Sequence, residues 1–309
     1  MNDFVEKMMF DPKWYHYLII IILSPLSLLY GLIMYFRRLF SVRKSFDLPI
    51  VSIGNLVVGG SGKTPFVIAL ASRYTEVTVI SRGYGRKSKG LIEVSRKGEI
   101  LCSVEESGDE AMLMALSLPS ASVIVSENRV EAIAYAKNKG TKLILLDDGI
   151  NRVDIEKYEI LLEPKEIKNY FPFPAGAFRE FWFMNVSADL LLKEDVDYVR
   201  HVTVEDLSKR MLLMTAIATP QRLDRYLPAD VVGKVYLSDH AYFDEATVKR
   251  QMQEYGAETL LVTEKDRVKM SGFKLPLSKM KLKLEITSHA LDAIDEYIKK
   301  YKKDNINAF

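Results

Sequence analysis

A glycine-rich loop at residues 58–65, Val-Gly-Gly-Ser-Gly-Lys-Thr-Pro, carries the chain's most specific chemistry. An apolar run, residues 49–53, predicts a strand before it, and residues 66–72 predict a helix after it. In such loops backbone N–H groups surround phosphates, a lysine bridges them and a threonine hydroxyl holds Mg²⁺. The alternative is a flexible turn, but the flanking strand and helix favour the phosphate loop. We therefore predict a triphosphate site at Gly59, Gly60, Ser61, Gly62, Lys63 and Thr64.

A pair of carboxylates ends a second apolar run. Asp147 and Asp148 follow residues 142–146, which predict a buried strand. Carboxylates at a strand end downstream of a phosphate loop hold the Mg²⁺ that neutralises phosphate charge. Asp-Asp-Gly is also a good surface turn. Because Lys63 and Thr64 lie upstream, we predict a metal site formed by Thr64, Asp147 and Asp148.

Four further polar residues have two interpretations each. Asp109 and Glu110 begin a predicted helix, where they either complement the helix dipole or supply a carboxylate that deprotonates an acceptor hydroxyl. Arg82 lies in a glycine-rich turn after a predicted strand, either as a phosphate contact or as an ordinary turn residue. His240 is either a structural or solvated histidine, or a functional one whose ring Asp239 orients and whose pKa Asp239 raises.

Composition limits the class of protein. The 309 residues include 43 Lys and Arg against 41 Asp and Glu, a balance that gives no sign of a nucleic-acid partner. The single cysteine, Cys102, excludes an internal disulfide and suits a reducing compartment. The length allows a large core in two lobes.

The N-terminal segment predicts membrane attachment. Residues 15–36 contain no Asp, Glu, Lys or Arg, and this length is near the ~20 residues that span a bilayer. Aromatic residues lie at both ends, and the basic residues that follow place the body of the protein in the cytoplasm. A cleaved signal is disfavoured because acidic residues precede the segment, whereas a buried core helix or an interfacial helix stays possible. The basic residues are Arg37, Arg38, Arg43 and Lys44.

Alternating apolar strands and helices predict an α/β fold. We expect a P-loop NTPase-like parallel sheet with helices on both faces, a second, smaller α/β lobe and an N-terminal apolar membrane helix. The expected domains are residues 1–44, the membrane-associated helix, 45–180, the nucleotide-binding domain, and 181–309, the second lobe that completes the cleft.

The ordered motifs together resemble the tetraacyldisaccharide 4'-kinase, or lipid A 4'-kinase, family over nearly the whole chain. The motifs are Ile53-Gly54-Asn55, Gly59 to Pro65, Ser81 to Gly85, Gly108-Asp109-Glu110, Asp147-Asp148-Gly149, Pro174-Ala175-Gly176, Arg179-Glu180, Asp239-His240 and Thr263-Glu264-Lys265-Asp266. The chain departs from the family at Ile150-Asn151-Arg152, where Phe-Gln-His is common, and at Ala177-Phe178, where Pro-Leu is usual.

The resemblance implies that ATP and Mg²⁺ serve phosphorylation of the 4'-hydroxyl of an acylated disaccharide 1-phosphate. It implies a site on the cytoplasmic face of the inner membrane, with a lipid substrate and no nucleic acid as partner. It also implies a catalytic role for Lys63, Asp109 as the base, His240 as the residue that tunes it, and a substrate cleft lined by Arg179 and Glu180. We add Arg82 and Glu110 as candidate substrate contacts.

Two other functions stay open at this point. One is a P-loop kinase for another membrane lipid or a small molecule. The other is a membrane-tethered nucleotide switch, which is disfavoured because Lys265 and Asp266 are adjacent and so lack the spacing of a guanine-reading motif.

Overall fold

The structure is a computed structural model that describes residues 3–58, 62–163 and 167–306. The α-helices are α1 (Asp3–Phe10), α2 (His16–Leu39), α3 (Lys63–Ala71), α4 (Val104–Ser107), α5 (Asp109–Ser117), α6 (Arg129–Asn138), α7 (Glu245–Glu254), α8 (Glu264–Arg267) and α9 (Ser288–Ile306). Short 3₁₀ helices cover Trp182–Ser187, Pro220–Tyr226 and Val268–Met270.

The strands are numbered along the chain in the same way. They are β1 (Ile50–Gly54), β2 (Val77–Ser81), β3 (Ile92–Arg96), β4 (Glu99–Ile100), β5 (Ser122–Val125), β6 (Leu143–Asp147), β7 (Tyr158–Leu162), β8 (Leu190–Leu192), β9 (Tyr198–Glu205), β10 (Met211–Thr215), β11 (Val231–Tyr236), β12 (Thr259–Thr263) and β13 (Leu277–Ile286).

The chain forms two compact units, and neither is continuous in sequence. The first unit contains Met1–Ile80, Arg129–Val199 and Ile286–Phe309, and the second contains Ser81–Asn128 and Arg200–Glu285. Residues 81–128 therefore group with the second unit rather than with the phosphate loop. The three contiguous domains expected from the sequence stay a prediction.

The first unit is built on a parallel sheet. Its strand order is β2-β6-β1-β7-β8, and each neighbouring pair is parallel. Every residue of β1, β2 and β6 is buried. This burial explains their continuous apolar sequences and confirms the parallel sheet that those sequences predicted. Helix α3 packs on β1 and β6, and Tyr297 of α9 donates a hydrogen bond to the Ile50 carbonyl at 3.2 Å.

The second unit has a five-stranded sheet of order β11-β10-β12-β13-β9. Strand β10 pairs in parallel with β11 and β12, and β12 with β13. The second unit also contains the antiparallel strands β4, β3 and β5. Lys97 and Gly98, which connect β3 to β4, both have positive φ, as a two-residue type I′ hairpin requires. The sequence prediction missed this hairpin because its strands are short and partly polar.

Helix α2 packs one narrow face against the rest of the first unit. Its buried residues are His16, Ile20, Ser27 and Gly31. The Ser27 hydroxyl donates to the Pro172 carbonyl. A Cβ on Gly31 would lie 2.6 Å from the Phe181 ring, so this contact requires glycine. Among the described residues α2 is the one helix long and apolar enough to cross a membrane, and this is weak evidence for a span.

We predict that Gly31→Val destabilises the protein by about 1–3 kcal/mol, because the added side chain overpacks against Phe181. Leu32→Val, which adds a β-branched residue at an exposed neighbour, is the control. Thermal unfolding in detergent micelles measures both. Equal unfolding temperatures for the two variants would contradict this packing of α2.

Candidate functional site

The phosphate loop connects β1 to α3. Gly62 has φ +72°, a left-handed conformation that favours glycine, and Lys63 begins the helix directly after it. Pro65 lies in the first turn of α3, where its missing N–H breaks no helical hydrogen bond. Gly59, Gly60 and Ser61 lie outside the described residues, so their predicted role stays a prediction.

The register of the parallel sheet brings the two carboxylates to the loop. Ile53 of β1 pairs with Asp147 of β6, and the Asp148 amide donates to the Ile53 carbonyl at 2.9 Å. Both strands therefore end at the same edge of the sheet. The Asp147 side chain is buried, and Asp148 turns the chain with φ +54°. Ligands of open α/β sheets bind at such carboxyl ends.

Lys63 and Arg179 both contact Asp148. The Lys63 ammonium lies 3.4 Å from Asp148 Oδ1 and donates to Asn55 Oδ1 at 2.8 Å. Arg179 Nη1 donates to the two Asp148 oxygens at 2.9 and 3.0 Å. Burial would raise the pKa of Asp148, but Lys63 and Arg179 outweigh it and hold the pKa below 3.8. Two cations therefore contact one carboxylate, and the Lys63 ammonium supplies a positive charge that suits phosphate.

The predicted metal ligands have the chemistry that Mg²⁺ requires. Thr64 supplies a hydroxyl, and Asp147 and Asp148 supply carboxylates, all of them oxygen donors. Mg²⁺ usually binds one or two carboxylates and completes its shell with water and phosphate oxygens. The described part of the chain has no cluster of three or more His, Cys, Asp or Glu that could hold a metal.

The second unit brings Asp109 and His240 together. His240 Nδ1 lies 3.0 Å from both Asp109 oxygens. The His240 backbone has φ +61° and its amide donates to the Ala216 carbonyl at 3.1 Å. The Tyr84 ring packs on the imidazole with centroids 5.1 Å apart. Asp109, His240 and Tyr84 line one small cavity with Gly85, Tyr242 and Lys269.

Lys269 is a buried ammonium beside this pair. Its side chain is 1% exposed and lies 3.5 Å from Asp109 Oδ2 and 3.6 Å from Asp266 Oδ1. It also donates to the Ala241 carbonyl at 3.0 Å, which ties it to the segment that carries His240. Sequence reasoning missed Lys269, because a lysine on a short helical turn carries no local signal of burial.

The charges around Asp109 keep it ionised. Burial by itself would raise the pKa of Asp109, but the His240 hydrogen bond and the Lys265 and Lys269 ammonium groups lower it below 3.8. Lys265 lies 3.8 Å from Asp109 Oδ2 and donates to Glu110 at 3.0 Å. An ionised carboxylate that contacts an imidazole can accept a proton from a hydroxyl.

Asp266 has a structural environment. Its carboxylate is fully buried and accepts from Thr215 Oγ1 at 2.6 Å, Thr263 Oγ1 at 2.7 Å and the Ala216 amide at 3.0 Å. With its acceptors occupied in this way, Asp266 stabilises the ends of β10 and β12. This agrees with the sequence spacing that disfavours a guanine-reading motif at 263–266.

The remaining predicted residues differ in their surroundings. Arg82 is exposed. Arg179 binds Asp148, as described above. Glu180 is buried: its side chain is 2% exposed and Arg38 donates to both of its oxygens, at 3.1 and 3.3 Å, and its predicted substrate role stays a prediction. Arg38, one of the basic residues that follow the apolar segment, is largely buried in this pair, and no local sequence pattern indicates so long-range a contact. Asn55 was also missed as a partner of Lys63.

This fold and this loop define a phosphate-loop nucleotide-binding protein of the α/β class. Comparison with known families gives a narrower assignment than this class. The family model for LpxK, tetraacyldisaccharide-1-P 4'-kinase, matches residues 19–205 and 193–300, and the chain belongs to this family. The resemblance that the motifs indicated is thus confirmed.

Relatives and a solved structure agree with this assignment. The chain is 47% identical to a tetraacyldisaccharide 4'-kinase of Helicobacter pylori over 97% of this chain and 96% of that one. It is 42% identical to one of Aliarcobacter butzleri over 96% and 98%. A structure of LpxK from Aquifex aeolicus in complex with ATP matches with a TM-score of 0.77 and 27% identity, over 92% of this chain and 99% of that one. The α/β fold with a parallel sheet is confirmed.

We predict that Asp266→Asn destabilises the protein by about 3 kcal/mol, because it weakens a buried network of two threonines and Lys269. The ATP-to-GTP preference stays unchanged. Asp224→Asn removes a half-exposed carboxylate and is the control. Denaturant unfolding and nucleotide competition measure the two effects, and an altered nucleotide preference with normal stability would contradict the structural role.

Proposed function

We propose that this chain transfers the γ-phosphoryl group of ATP to the 4'-hydroxyl of the tetraacyldisaccharide 1-phosphate precursor of lipid A. Family membership supports the reaction. Among structural observations, the cluster of Lys63, Asp148 and Arg179 at the joint end of β1 and β6 supports it most directly. That cluster places a cationic group where a glycine loop and a helix N-terminus meet.

The nucleotide half of the mechanism rests on charge and position. ATP supplies the phosphoryl group, and Mg²⁺, held by Thr64, Asp147 and Asp148, would neutralise phosphate charge. Lys63 donates from its ammonium to phosphate oxygens, exchanging its contact with Asp148 for them. Arg179 keeps Asp148 in place. The transition state of phosphoryl transfer is loose, so positioned charge contributes most of the catalysis.

Deprotonation of the acceptor hydroxyl depends on Asp109. Its carboxylate accepts the proton of the 4'-hydroxyl as the oxygen bonds to phosphorus. His240 holds the carboxylate through Nδ1, and Lys265 and Lys269 keep it ionised. Arg82 and Glu110 remain proposed contacts of the sugar or its phosphate.

We also propose that α2 lies in the cytoplasmic interface of the inner membrane rather than crossing it. The helix contacts the rest of the first unit along its length, from Ile20 through Ser27 and Gly31 to Arg38. A spanning helix would carry these contacts into the bilayer. The opposite face is apolar and exposed, as an interfacial helix requires. It includes Leu18, Ile21, Ile22, Leu26, Leu29, Leu32, Ile33 and Phe36.

The function is tested with radiolabelled ATP, purified protein and lipid acceptors. We expect label on the disaccharide 1-phosphate, at the 4'-position by product analysis. Lys63→Met should lower turnover about 100-fold or more, because a preorganised positive charge at the phosphates is lost. Lys137→Met, at an exposed ion pair, is the control. Transfer to another lipid or another hydroxyl would overturn the proposed substrate, and normal turnover by Lys63→Met would overturn the loop assignment.

His240→Gln should lower kcat by about 100-fold and move the acid limb of its pH profile upward. The reason is that the His240 hydrogen bond lowers the Asp109 pKa, so its loss raises that pKa and protonates the base at higher pH. His201→Gln, at an exposed histidine, is the control. An unmoved acid limb would show that Asp109 is not the titrating base.

Cysteine labelling distinguishes the two positions of α2. In a Cys102→Ser background, Lys13→Cys and Arg43→Cys place single thiols before and after the helix. An impermeant maleimide should label both in inverted inner-membrane vesicles and neither in intact spheroplasts. Labelling of the two thiols from opposite sides would show that α2 crosses the bilayer.

A further inference from the structure

The last turn of α2 ends in a buried ion cluster. Arg38 is 10% exposed, and it donates to Glu159 Oε2 at 3.0 Å and to the two Glu180 oxygens at 3.1 and 3.3 Å. Lys157 completes the cluster at 3.1 Å from Glu159 Oε1. The charges of the two cations and the two carboxylates cancel, as a buried site requires. The neighbouring Arg43 and Lys44 are exposed, so Arg38 is set apart from the surface cations around it.

The cluster is adjacent in sequence to the nucleotide site. Glu180 directly follows Arg179, whose guanidinium binds Asp148. The Arg179 amide donates to the Leu56 carbonyl at 2.7 Å, which attaches this segment to the start of the phosphate loop. Two successive side chains thus point to different partners. Glu180 contacts α2, and Arg179 contacts the carboxylate that faces Lys63.

These contacts form a continuous path within the first unit. It runs from Arg38 to Glu180, through one peptide bond to Arg179, then to Asp148 and Lys63. Arg38 and Arg179 each hydrogen-bond their carboxylate through more than one bond, and Asp148 and Lys63 form an ion pair at 3.4 Å. A guanidinium that binds both carboxylate oxygens fixes orientation as well as distance.

We propose that Arg38 is a positioning residue for the nucleotide site, so that α2 is part of the ATP-binding unit as well as its membrane contact. The inference rests on the proposed function, because it assumes that Lys63 and Asp148 border the nucleotide. Arg38 does not touch the nucleotide. It fixes Glu180, and thereby the backbone from which Arg179 reaches Asp148.

The test measures ATP affinity of the full chain in detergent micelles. Arg38→Met should weaken ATP binding about 10-fold, the usual effect of removing an outer partner of a binding group. The ATP affinity of Arg38→Lys should lie between those of the wild type and Arg38→Met. Lysine keeps the positive charge but lacks the guanidinium geometry that binds both carboxylate oxygens. Arg73→Met removes an arginine from an exposed ion pair with Asp295 and should bind ATP as the wild type does.

A second background separates positioning from general loss of structure. If Arg38 acts through Asp148, Arg38→Met should have little further effect on ATP affinity in Asp148→Asn. The inference would be overturned if Arg38→Met weakened ATP binding by the same factor in both backgrounds, or if Arg38→Met bound ATP normally. Should Arg38→Met fail to fold, Glu180→Gln, which keeps the side-chain shape, gives the same comparison. A wild-type protein that does not bind ATP would instead overturn the proposed function.

Discussion

The parallel pairing of β1 with β6 is the constraint on which the rest of the structure depends. It aligns Ile53 with Asp147, so the strand that enters the phosphate loop and the strand that ends in two carboxylates finish at one edge. Both strands are buried, and a slip of one residue would turn buried side chains to the wrong face. The hydrophobic core thus fixes the position of Lys63 relative to Asp148.

Electrostatics follows one principle in both units. Asp148 lies between Lys63 and Arg179, and Asp109 contacts His240 with two lysines nearby. In each case cations and hydrogen bonds overcome the cost of burial and lower the carboxylate pKa. A lowered folded-state pKa gives stability that is present above the unfolded value and is lost as the pH falls through the folded value. Both groups therefore stay charged at neutral pH.

The parts of the fold and of the site that have a local sequence signal could be predicted. Continuous apolar runs predicted β1 and β6, and the helix predicted at residues 66–72 is α3, which begins three residues earlier, at Lys63. Strands β3, β7 and β9 were missed because mixed polar residues obscure their pattern. Lys269 and Arg38 were missed for another reason. Their partners are distant in sequence, so only the folded chain shows that these charges are buried.

One segment connects helix α2 to the site of Lys63 and Asp148, and we propose that these two residues act together on the nucleotide. A double-mutant cycle tests this most directly, with ATP affinity measured by calorimetry for the wild type, Lys63→Met, Asp148→Asn and the double variant. Saturating MgCl₂ in the buffer supplies the metal that Asp148 is proposed to hold. We predict non-additive losses, with a coupling of about 1 kcal/mol or more between the two residues. Strictly additive losses would contradict a shared site.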